Sequence, residues 1–104
     1  KRVISAEAFT SHWSFTQMPR DLKIKGDWSW CEGINHFVMH VYLHQPDERV
    51  PGISAWFGTD FNRHNTWFPY SKSYFDYIRR SCALLQSGSP VADVAYFIGE
   101  DVPK

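Results

Sequence analysis

Residues 34–42 read INHFVMHVY, and this stretch decides how the fold is interpreted. Phe37, Met39 and Val41 alternate with side chains that are mostly more polar, and a period of two is the pattern of a β-strand. Successive side chains of a strand point to opposite faces of a sheet, so one face of this strand is apolar. The stretch therefore predicts a strand, and its neighbours in sequence indicate the kind of sheet.

A strand and a helix are predicted before this stretch. Residues 2–9, RVISAEAF, are mostly small or apolar and predict a short buried strand, with Glu7 near its C-terminal end. A helix then runs from Pro19 to about Glu32, because proline opens a helix at no cost and Gly33 is suited to end one. The residues at helical spacing along it are Leu22, Lys25, Trp28 and Cys31.

A long loop, a second helix and a third strand are predicted after it. Residues 43–70 show no periodicity, and loops of that length in compact domains are usually functional. Ser71 is suited to cap the next helix, which Gly88 and Pro90 end. One face of this helix carries Phe75, Ile78, Cys82 and Leu85. Residues 91–98, VADVAYFI, predict a third buried strand.

Strands that alternate with helices predict an α/β fold with a parallel sheet and helices packed on it. The first two strands are spaced as in one βαβ crossover, which takes ~30 residues or more. Three parallel strands leave two open edges, and the chain starts at Lys1 without an initiator methionine. These features favour a fragment whose true start lies upstream over the alternative, a small free-standing three-stranded α/β domain.

The composition narrows the classes of partner. Eleven basic and eleven acidic side chains cancel, which argues against a nucleic-acid partner, and no apolar run approaches the roughly 20 residues of a membrane helix. We therefore expect no nucleic acid and no membrane among the partners. Cys31 and Cys82 lack the spacing of a zinc or redox site and are expected to be small, buried, unpaired residues.

Glu7 is the candidate catalytic residue. Ligands of parallel β/α folds bind at the C-terminal ends of the strands, where Glu7 is predicted to lie. A carboxylate there acts as a nucleophile or as the base for a water molecule. The alternative is a structural ion pair with an arginine of a neighbouring strand. The small residues around it, in SAEAF, leave room for a ligand and favour catalysis.

The histidines of the second strand suggest a metal, but their spacing argues against one. His36 and His40 would lie about 13 Å apart along one face of a strand. Two residues so far apart cannot share a zinc ion, whose ligand bonds are only ~2 Å long. His40, near the end of the strand, is predicted to hydrogen-bond a substrate hydroxyl. His36 is predicted to be a core histidine, and Asn35 to be structural.

Aromatic and planar polar side chains crowd into residues 56–70. The rings are Trp56, Phe57, Phe61, Trp67, Phe68 and Tyr70, and the polar side chains among them are Asp60, Asn62, Arg63, His64 and Asn65. Rings cover the C–H face of a sugar while planar polar groups bind its hydroxyls, so this loop predicts carbohydrate binding. The alternative for the rings is a satellite core under a long loop.

Three functions stay open on these residues alone. The first is an enzyme that uses Glu7, and the second is a non-catalytic carbohydrate-binding α/β module that uses the aromatic loop 56–70. The third is a stand-alone α/β interaction domain. The classes differ in the setting of Glu7: an open rim shared with His40 favours the enzyme, and an ion pair favours the other two.

The order of motifs resembles the C-terminal part of the catalytic barrel in glycoside hydrolase family 106. These enzymes are α-L-rhamnosidases, with relatives among large bacterial polysaccharide-degrading hydrolases. The resemblance covers nearly the whole chain. Its motifs are SAEAFT, MPRDLK, GDWSWCEGINHFVMHVYLHQP, PGISAWFGTDFNRHNTWF and VADVAYFIGED.

The resemblance implies a fold and a domain boundary. Residues 1–89 would be the C-terminal part of a (β/α)8 TIM-barrel catalytic domain and contribute its last two βα units. Residues 90–104 would start a following α/β domain, with VADVAYFI as its first strand. The chain would then be an incomplete TIM-barrel fragment plus one strand of a second domain.

The resemblance also implies a chemistry. It implies hydrolysis of a terminal deoxyhexose, α-L-rhamnose, by an inverting mechanism with two carboxylates. Glu7 matches the catalytic base, and the general acid would lie on an earlier strand outside this chain. His40, the segment with Asp60, Asn62 and Arg63, and the ring of Trp67 match regions that line the sugar pocket, and the aromatic loop itself adds Trp56 as a predicted sugar-binding residue. A calcium ion would help to hold the sugar, with no ligand placed in this chain, and the enzyme would be periplasmic or secreted in a bacterium.

Overall fold

The computed structural model describes residues 2–10, 12–97 and 99. Two strands, two helices and one 3-10 turn form a small α/β unit. In chain order they are β1 (Ser5–Ala8), α1 (Pro19–Cys31), β2 (His36–Met39), the 3-10 turn Phe68–Tyr70 and α2 (Lys72–Ser87). The α/β class and the β-α-β crossover are confirmed, and this architecture is consistent with a fragment. The TIM barrel stays an expectation of the resemblance, as does the boundary near residue 90.

The sheet consists of β1 and β2 in parallel, with Ser5 opposite His36 and Ala8 opposite Met39. Burial alternates along both strands. The side chains on one face, which include Ala8 and Phe37, pack on the core, and those on the other face are exposed. The period of two in the sequence is thus confirmed. The prediction that residues 2–9 form a buried strand is wrong for one face, because no described element covers it.

Asn35 joins the beginning of β2 to the chain before β1. Its side-chain oxygen accepts a hydrogen bond from the Ile4 N–H at 2.8 Å, and its amide donates to the Arg2 carbonyl at 3.1 Å. Its own carbonyl accepts a hydrogen bond from Gln86 at 2.8 Å. The side chain therefore ties the two strands together and the backbone carbonyl adds α2, so the predicted structural role of Asn35 is confirmed.

Helix α1 covers the apolar face of the sheet. Its first turn is closed by Asp21, whose carboxylate accepts a hydrogen bond from the Met18 N–H at 3.1 Å. Leu22 is fully buried, and the rings of Phe9 and Phe37 lie within 3.8 Å of the space that a side chain at Gly26 would fill. A small residue is therefore needed where the helix crosses the sheet.

The predicted inner face of α1 is only partly correct. Trp28 and Cys31 are exposed, although both lie at helical spacing from Leu22. The residues that meet the sheet are four apart, at Leu22, Gly26 and Trp30. A helix rotates by about 100° per residue. Residues spaced three apart and residues spaced four apart therefore lie along two neighbouring lines on the helix surface. Only the packing against the sheet decides between them.

Helix α2 completes the core through residues that are also four apart. Tyr74, Ile78 and Cys82 are buried, and Phe75 packs against the cluster from the side. Leu85, expected on the same face, is largely exposed. Cys82 is buried as predicted, and neither cysteine is in a disulfide. The core residues are Phe9, Leu22, Phe61, Tyr74, Ile78 and Cys82.

The third strand predicted for residues 91–98 is wrong over the residues that can be described. Residues 91–97 lie in no strand, and Val91 and Phe97 are 95% and 98% exposed. An apolar run becomes a strand only where another strand satisfies its backbone hydrogen bonds, and no described strand lies beside this one. Ile98 lies outside the described residues.

No helix among the described residues is long and apolar enough to cross a membrane.

One polar contact links the two helices. The carboxylate of Asp27 on α1 accepts hydrogen bonds from Lys23 at 2.5 Å and from the Tyr77 hydroxyl of α2 at 2.6 Å. Partial burial of Asp27 raises its pKa, but the hydrogen bonds from Lys23 and Tyr77 lower it, and the net result is a pKa below the usual value. The ionised carboxylate is thus the form that the helix pair stabilises.

Truncating Leu22 should destabilise the fold strongly. We expect Leu22→Ala to lower the free energy of unfolding by about 2–5 kcal/mol, because the side chain is fully buried and its removal leaves a cavity. Ile24→Ala on the same helix removes an exposed side chain and should change it by only about 0.5 kcal/mol. Urea denaturation of both variants is the measurement. Equal losses would show that α1 does not pack through Leu22.

The hydrogen bonds to Asp27 should make the free energy of unfolding depend on pH in the acid range. A lowered pKa means that its stabilisation is complete above the usual value of 3.8 and is lost as the pH falls through the folded-state pKa. We expect Asp27→Asn to flatten the acid end of a plot of unfolding free energy against pH. Asp21→Asn is less suitable as a control because Asp21 closes the helix, so Glu32→Gln is used. An acid limb that is unchanged in Asp27→Asn would contradict the assignment.

Candidate functional site

The candidate site begins where β1 ends. Glu7 is the third residue of β1 and lies on the exposed face of the sheet. Its Oε1 accepts a hydrogen bond from the Thr10 hydroxyl at 2.6 Å. Between them Phe9 adopts a φ of 70° and places its ring in the core. The turn at Phe9 therefore anchors the end of the strand while Glu7 stays open to solvent, and no ion pair of Glu7 is formed with any described residue.

A cavity of about 270 Å³ lies next to Thr10. Its lining consists of Thr10, His12, Trp13 and Phe57. Two loop segments form it, because Trp13 and Phe57 face each other in an antiparallel bridge. The Gly58 N–H donates to the His12 carbonyl at 2.6 Å, on one side of that bridge. The loop after β1 and the long loop after β2 thus meet at the cavity.

His40 lies on the other side of Phe57. The two rings are stacked, with centroids 5.1 Å apart and an angle of 18° between their planes. Its backbone N–H donates to the Ala8 carbonyl at 2.9 Å, so His40 directly follows the paired strands. Its Nδ1 is buried and has no hydrogen-bond partner among the described residues. The His40–Val41 peptide bond is cis. The structure therefore connects both predicted residues to the cavity through its lining, Glu7 by its hydrogen bond with Thr10 and His40 by its stack on Phe57.

Gly58 is required by His40. Its φ is +85°, and a side-chain carbon at this position would lie 2.3 Å from His40 Nδ1. Real Cβ atoms do not approach that closely, and positive φ values are strained for residues other than glycine. The bare backbone of Gly58 therefore gives the imidazole its place.

Two of the predicted sugar-binding residues lie inside the protein. Asp60 and Asn62 are 0% and 1% exposed. The Asp60 carbonyl accepts a hydrogen bond from the Asn65 amide at 3.0 Å, and Asn62 Oδ1 accepts one from the His64 N–H at 2.9 Å. These bonds order the loop from within. Direct sugar binding by Asp60 and Asn62 stays a prediction.

Arg63 and Trp67 hold neighbouring segments. Arg63 forms an ion pair with Glu48 at 2.9 Å and donates to the Asp47 carbonyl at 2.7 Å. The Trp67 indole donates to the Gln17 carbonyl at 2.9 Å, and its ring packs edge-on against the core ring of Phe61. Both side chains are thus engaged in contacts within the chain, and their contact with a sugar stays a prediction.

Trp56 is open to solvent. Its side chain is 77% exposed and its backbone has a φ of 71°. The Trp56 N–H donates to the Ser54 hydroxyl at 3.0 Å, and its carbonyl accepts a hydrogen bond from the Ser14 N–H at 3.3 Å. Its backbone is therefore held from two sides while its ring is presented outward.

The histidines differ from expectation in one case. His36 is exposed and shares a hydrogen bond of 2.7 Å with the Ser5 hydroxyl, so its assignment to the core is wrong. The reason is that its face of the sheet is uncovered. No group of three histidine, cysteine or acidic side chains comes together in residues 2–10, 12–97 and 99. Calcium therefore stays an expectation of the resemblance.

Sequence reasoning missed most of the cavity. Sequence patterns give no role to Thr10, His12 or Trp13, and they place Phe57 only among the rings of residues 56–70. A signal exists, because a tryptophan four residues after the predicted strand end at Phe9 lies close to the carboxyl ends of a parallel sheet. Its partner Phe57 is 44 positions away and could not be found by spacing.

Known proteins similar to this chain fall among glycoside hydrolases. The family profile Glyco_hydro_106, described as alpha-L-rhamnosidase, matches residues 1–104. A Formosa agariphila protein named "Putative beta-glucuronidase" is 46% identical over 102 residues, which cover 97% of this chain and 9% of that protein. The chain thus spans less than a tenth of the length of this relative. No solved structure matches significantly.

The fit between Gly58 and His40 can be tested with two glycines. Gly58→Ala and Gly33→Ala both place a side chain at positive φ, but only position 58 has a clash, since nothing lies within 4 Å of a side chain at Gly33. We expect Gly33→Ala to cost ~1 kcal/mol of unfolding free energy and Gly58→Ala about 2 kcal/mol more. NMR of the His40 ring should show displacement in Gly58→Ala alone. Equal losses of unfolding free energy in the two variants would show that the His40 side chain moves aside at little cost.

Proposed function

This chain belongs to the Glyco_hydro_106 family of glycoside hydrolases, and we propose that it supplies the catalytic base of an enzyme that removes terminal α-L-rhamnose from glycans. One observation carries the proposal. Glu7 is an exposed carboxylate at the C-terminal end of a parallel strand, beside an aromatic cavity. In parallel β/α folds this end of the strands is where substrates bind.

The proposed reaction is an inverting hydrolysis. Glu7 takes a proton from a water molecule while the water oxygen bonds to the anomeric carbon and the glycosidic C–O bond breaks. The departing oxygen takes a proton from a second carboxylic acid, which we place in the full-length protein outside this chain. The hydrogen bond from the Thr10 hydroxyl to Oε1 orients Glu7 for this task.

His40 is proposed to bind a sugar hydroxyl. Its Nδ1 is buried beneath Gly58, so a hydroxyl would meet the other ring nitrogen, Nε2. The stack on Phe57 fixes the plane of the ring. A hydrogen bond in a fixed direction is what distinguishes one sugar stereoisomer from another.

The charges around the cavity favour a neutral sugar. The four described residues that line it include no arginine or lysine. Arg63 is paired with Glu48 and Arg49 with Asp47. A sugar that carries a carboxylate would need a cation to compensate for its lost hydration, whereas the methyl group of a 6-deoxy sugar suits an aromatic wall. The name of the Formosa agariphila relative makes a glucuronide the second candidate substrate.

A purely carbohydrate-binding module is less well supported. Of the rings in residues 56–70, Phe61 is part of the core, and Trp67 and Phe68 pack against it. Phe57 lines the cavity, which is shared with the loop that follows Glu7, whereas Trp56 and Tyr70 are exposed and do not line it. The aromatic ring that lines the cavity therefore lies near the carboxylate.

Two further parts of the proposal concern the full-length protein. Its calcium, which the family resemblance suggests, would be held by ligands outside this chain, and a chelator such as EDTA tests for it. We place the enzyme in the periplasm or outside a bacterial cell, where its glycan substrates are found.

Removal of the Glu7 charge should abolish turnover. In the full-length protein we expect Glu7→Gln to lower kcat by roughly 10³-fold, the contribution of a general base, with sugar binding largely kept. Glu32→Gln, another exposed carboxylate, is the matched control and should keep full activity. The measurement is release of p-nitrophenol from p-nitrophenyl α-L-rhamnoside. Near-normal turnover in Glu7→Gln would remove Glu7 from the mechanism.

The substrate and the stereochemistry are tested together. We expect the rhamnoside to be cleaved with a much higher kcat/KM than p-nitrophenyl β-D-glucuronide, because no described cation lines the cavity. Proton NMR of the first sugar released should show the anomer opposite to that of the substrate. A preference for the glucuronide would favour the second candidate, and retention of configuration would rule out the base role of Glu7.

A further inference from the structure

We infer that Trp13 and Phe57 form the two walls of the subsite that holds the sugar ring being cleaved, and that Trp13 determines its preference for neutral sugars. This inference rests on the proposed function, because it assigns the ring next to Glu7 to the reacting sugar. It gives Trp13 a role in binding for the first time and gives Phe57, until now one ring of the aromatic loop, a defined place. The cavity between them, lined also by Thr10 and His12, is the site in question.

Trp13 is presented to solvent by a backbone that is fixed. Its side chain is 74% exposed, although a tryptophan is among the most costly side chains to leave in water. Its carbonyl accepts a hydrogen bond from the Thr16 hydroxyl at 2.6 Å, and the next residue, Ser14, is bonded to Ser54 at 2.6 Å. With the bridge to Phe57, these contacts hold the backbone at Trp13 before any ligand arrives. Such preorganisation lowers the entropy lost on binding.

Phe57 is fixed in a different way. Its ring is half-exposed and is backed by the stacked ring of His40. A ligand in the cavity therefore meets a wall that cannot easily recede. The two walls approach from different loops, so the cavity is present only when both loops are folded.

The chemistry of the cavity matches the two kinds of surface on a pyranose ring. The rings of Trp13 and Phe57 are suited to its C–H faces, and the Thr10 hydroxyl and the His12 imidazole are suited to its hydroxyls. The cavity, of about 270 Å³, is open to solvent, and the proposed occupant is one sugar ring.

Thr10 connects the cavity to the carboxylate. It lines the cavity and at the same time donates its hydroxyl hydrogen bond to Glu7. A ring between Trp13 and Phe57 therefore lies one side chain away from the proposed base. The apolar walls also make the cavity a poor place for a carboxylate, since burying an unpaired charge is costly.

The test compares three variants of the full-length protein. Trp13→Ala should raise KM for p-nitrophenyl α-L-rhamnoside about tenfold with a smaller effect on kcat, since a binding surface is lost. Trp13→Phe should restore most of the loss. Trp28→Ala removes another exposed tryptophan, on α1, and should leave KM unchanged. Circular dichroism of each variant checks that it is folded.

A binding experiment separates this inference from the proposed function. L-rhamnose is titrated into Glu7→Gln, and into the same variant with Trp13→Ala or Trp28→Ala, by calorimetry. Binding that Trp13→Ala weakens about tenfold and Trp28→Ala does not supports the subsite, even if the wild type turns out not to hydrolyse rhamnosides. An unchanged dissociation constant in folded Trp13→Ala overturns it, and so does a wild type that binds no L-rhamnose. D-glucuronate that binds as tightly as L-rhamnose would overturn the preference for neutral sugars.

Discussion

The parallel pairing of β1 with β2, covered on one face only, is the constraint on which the rest of the structure depends. Its register places Glu7 beside Val38 on the exposed face and Ala8 beside Met39 on the core face. A shift of one residue in either strand would exchange the two faces of that strand. The apolar side chains under the sheet therefore determine that Glu7 is open to solvent.

The loops that follow β1 and β2 continue the backbone contacts of the sheet beyond the ends of the two strands. Beyond β2, the Val41 N–H donates to the Thr59 carbonyl and the Thr59 N–H donates to the His40 carbonyl. Beyond β1, the segment at Trp13 is bridged to Phe57. The long loop 43–70 is thus anchored to both strand ends. Its polar residues face inward, where Asp60 and Asn62 satisfy part of their hydrogen bonds within the loop. A loop of this length is ordered because its own side chains replace the secondary structure that it lacks.

Two groups of residues have different roles in this arrangement: one lies at the cavity, and the other holds the loops that form it. Trp13 and Phe57 line the cavity, Glu7 is joined to its lining through Thr10, and His40 is stacked on Phe57. Gly58, Arg63 and Trp67 lie behind them and hold the loops in place. Membership in a glycoside hydrolase family agrees with a carboxylate beside aromatic rings. The contacts behind the cavity fix the positions of the carboxylate and the aromatic rings relative to each other.

The sequence by itself determined β1, α1, β2 and α2, and it predicted Glu7 as the candidate catalytic carboxylate. The period of two in residues 34–42, the proline before α1 and the small residues around Glu7 are local signals, and local signals suffice for strands, helix starts and strand ends. Only the tertiary structure decided which stripe of α1 faces the sheet, that residues 91–97 find no partner strand, and that Trp13 meets Phe57. Each of these depends on a contact between residues far apart in the chain, and periodicity describes what a segment is able to bury but not what lies opposite to it.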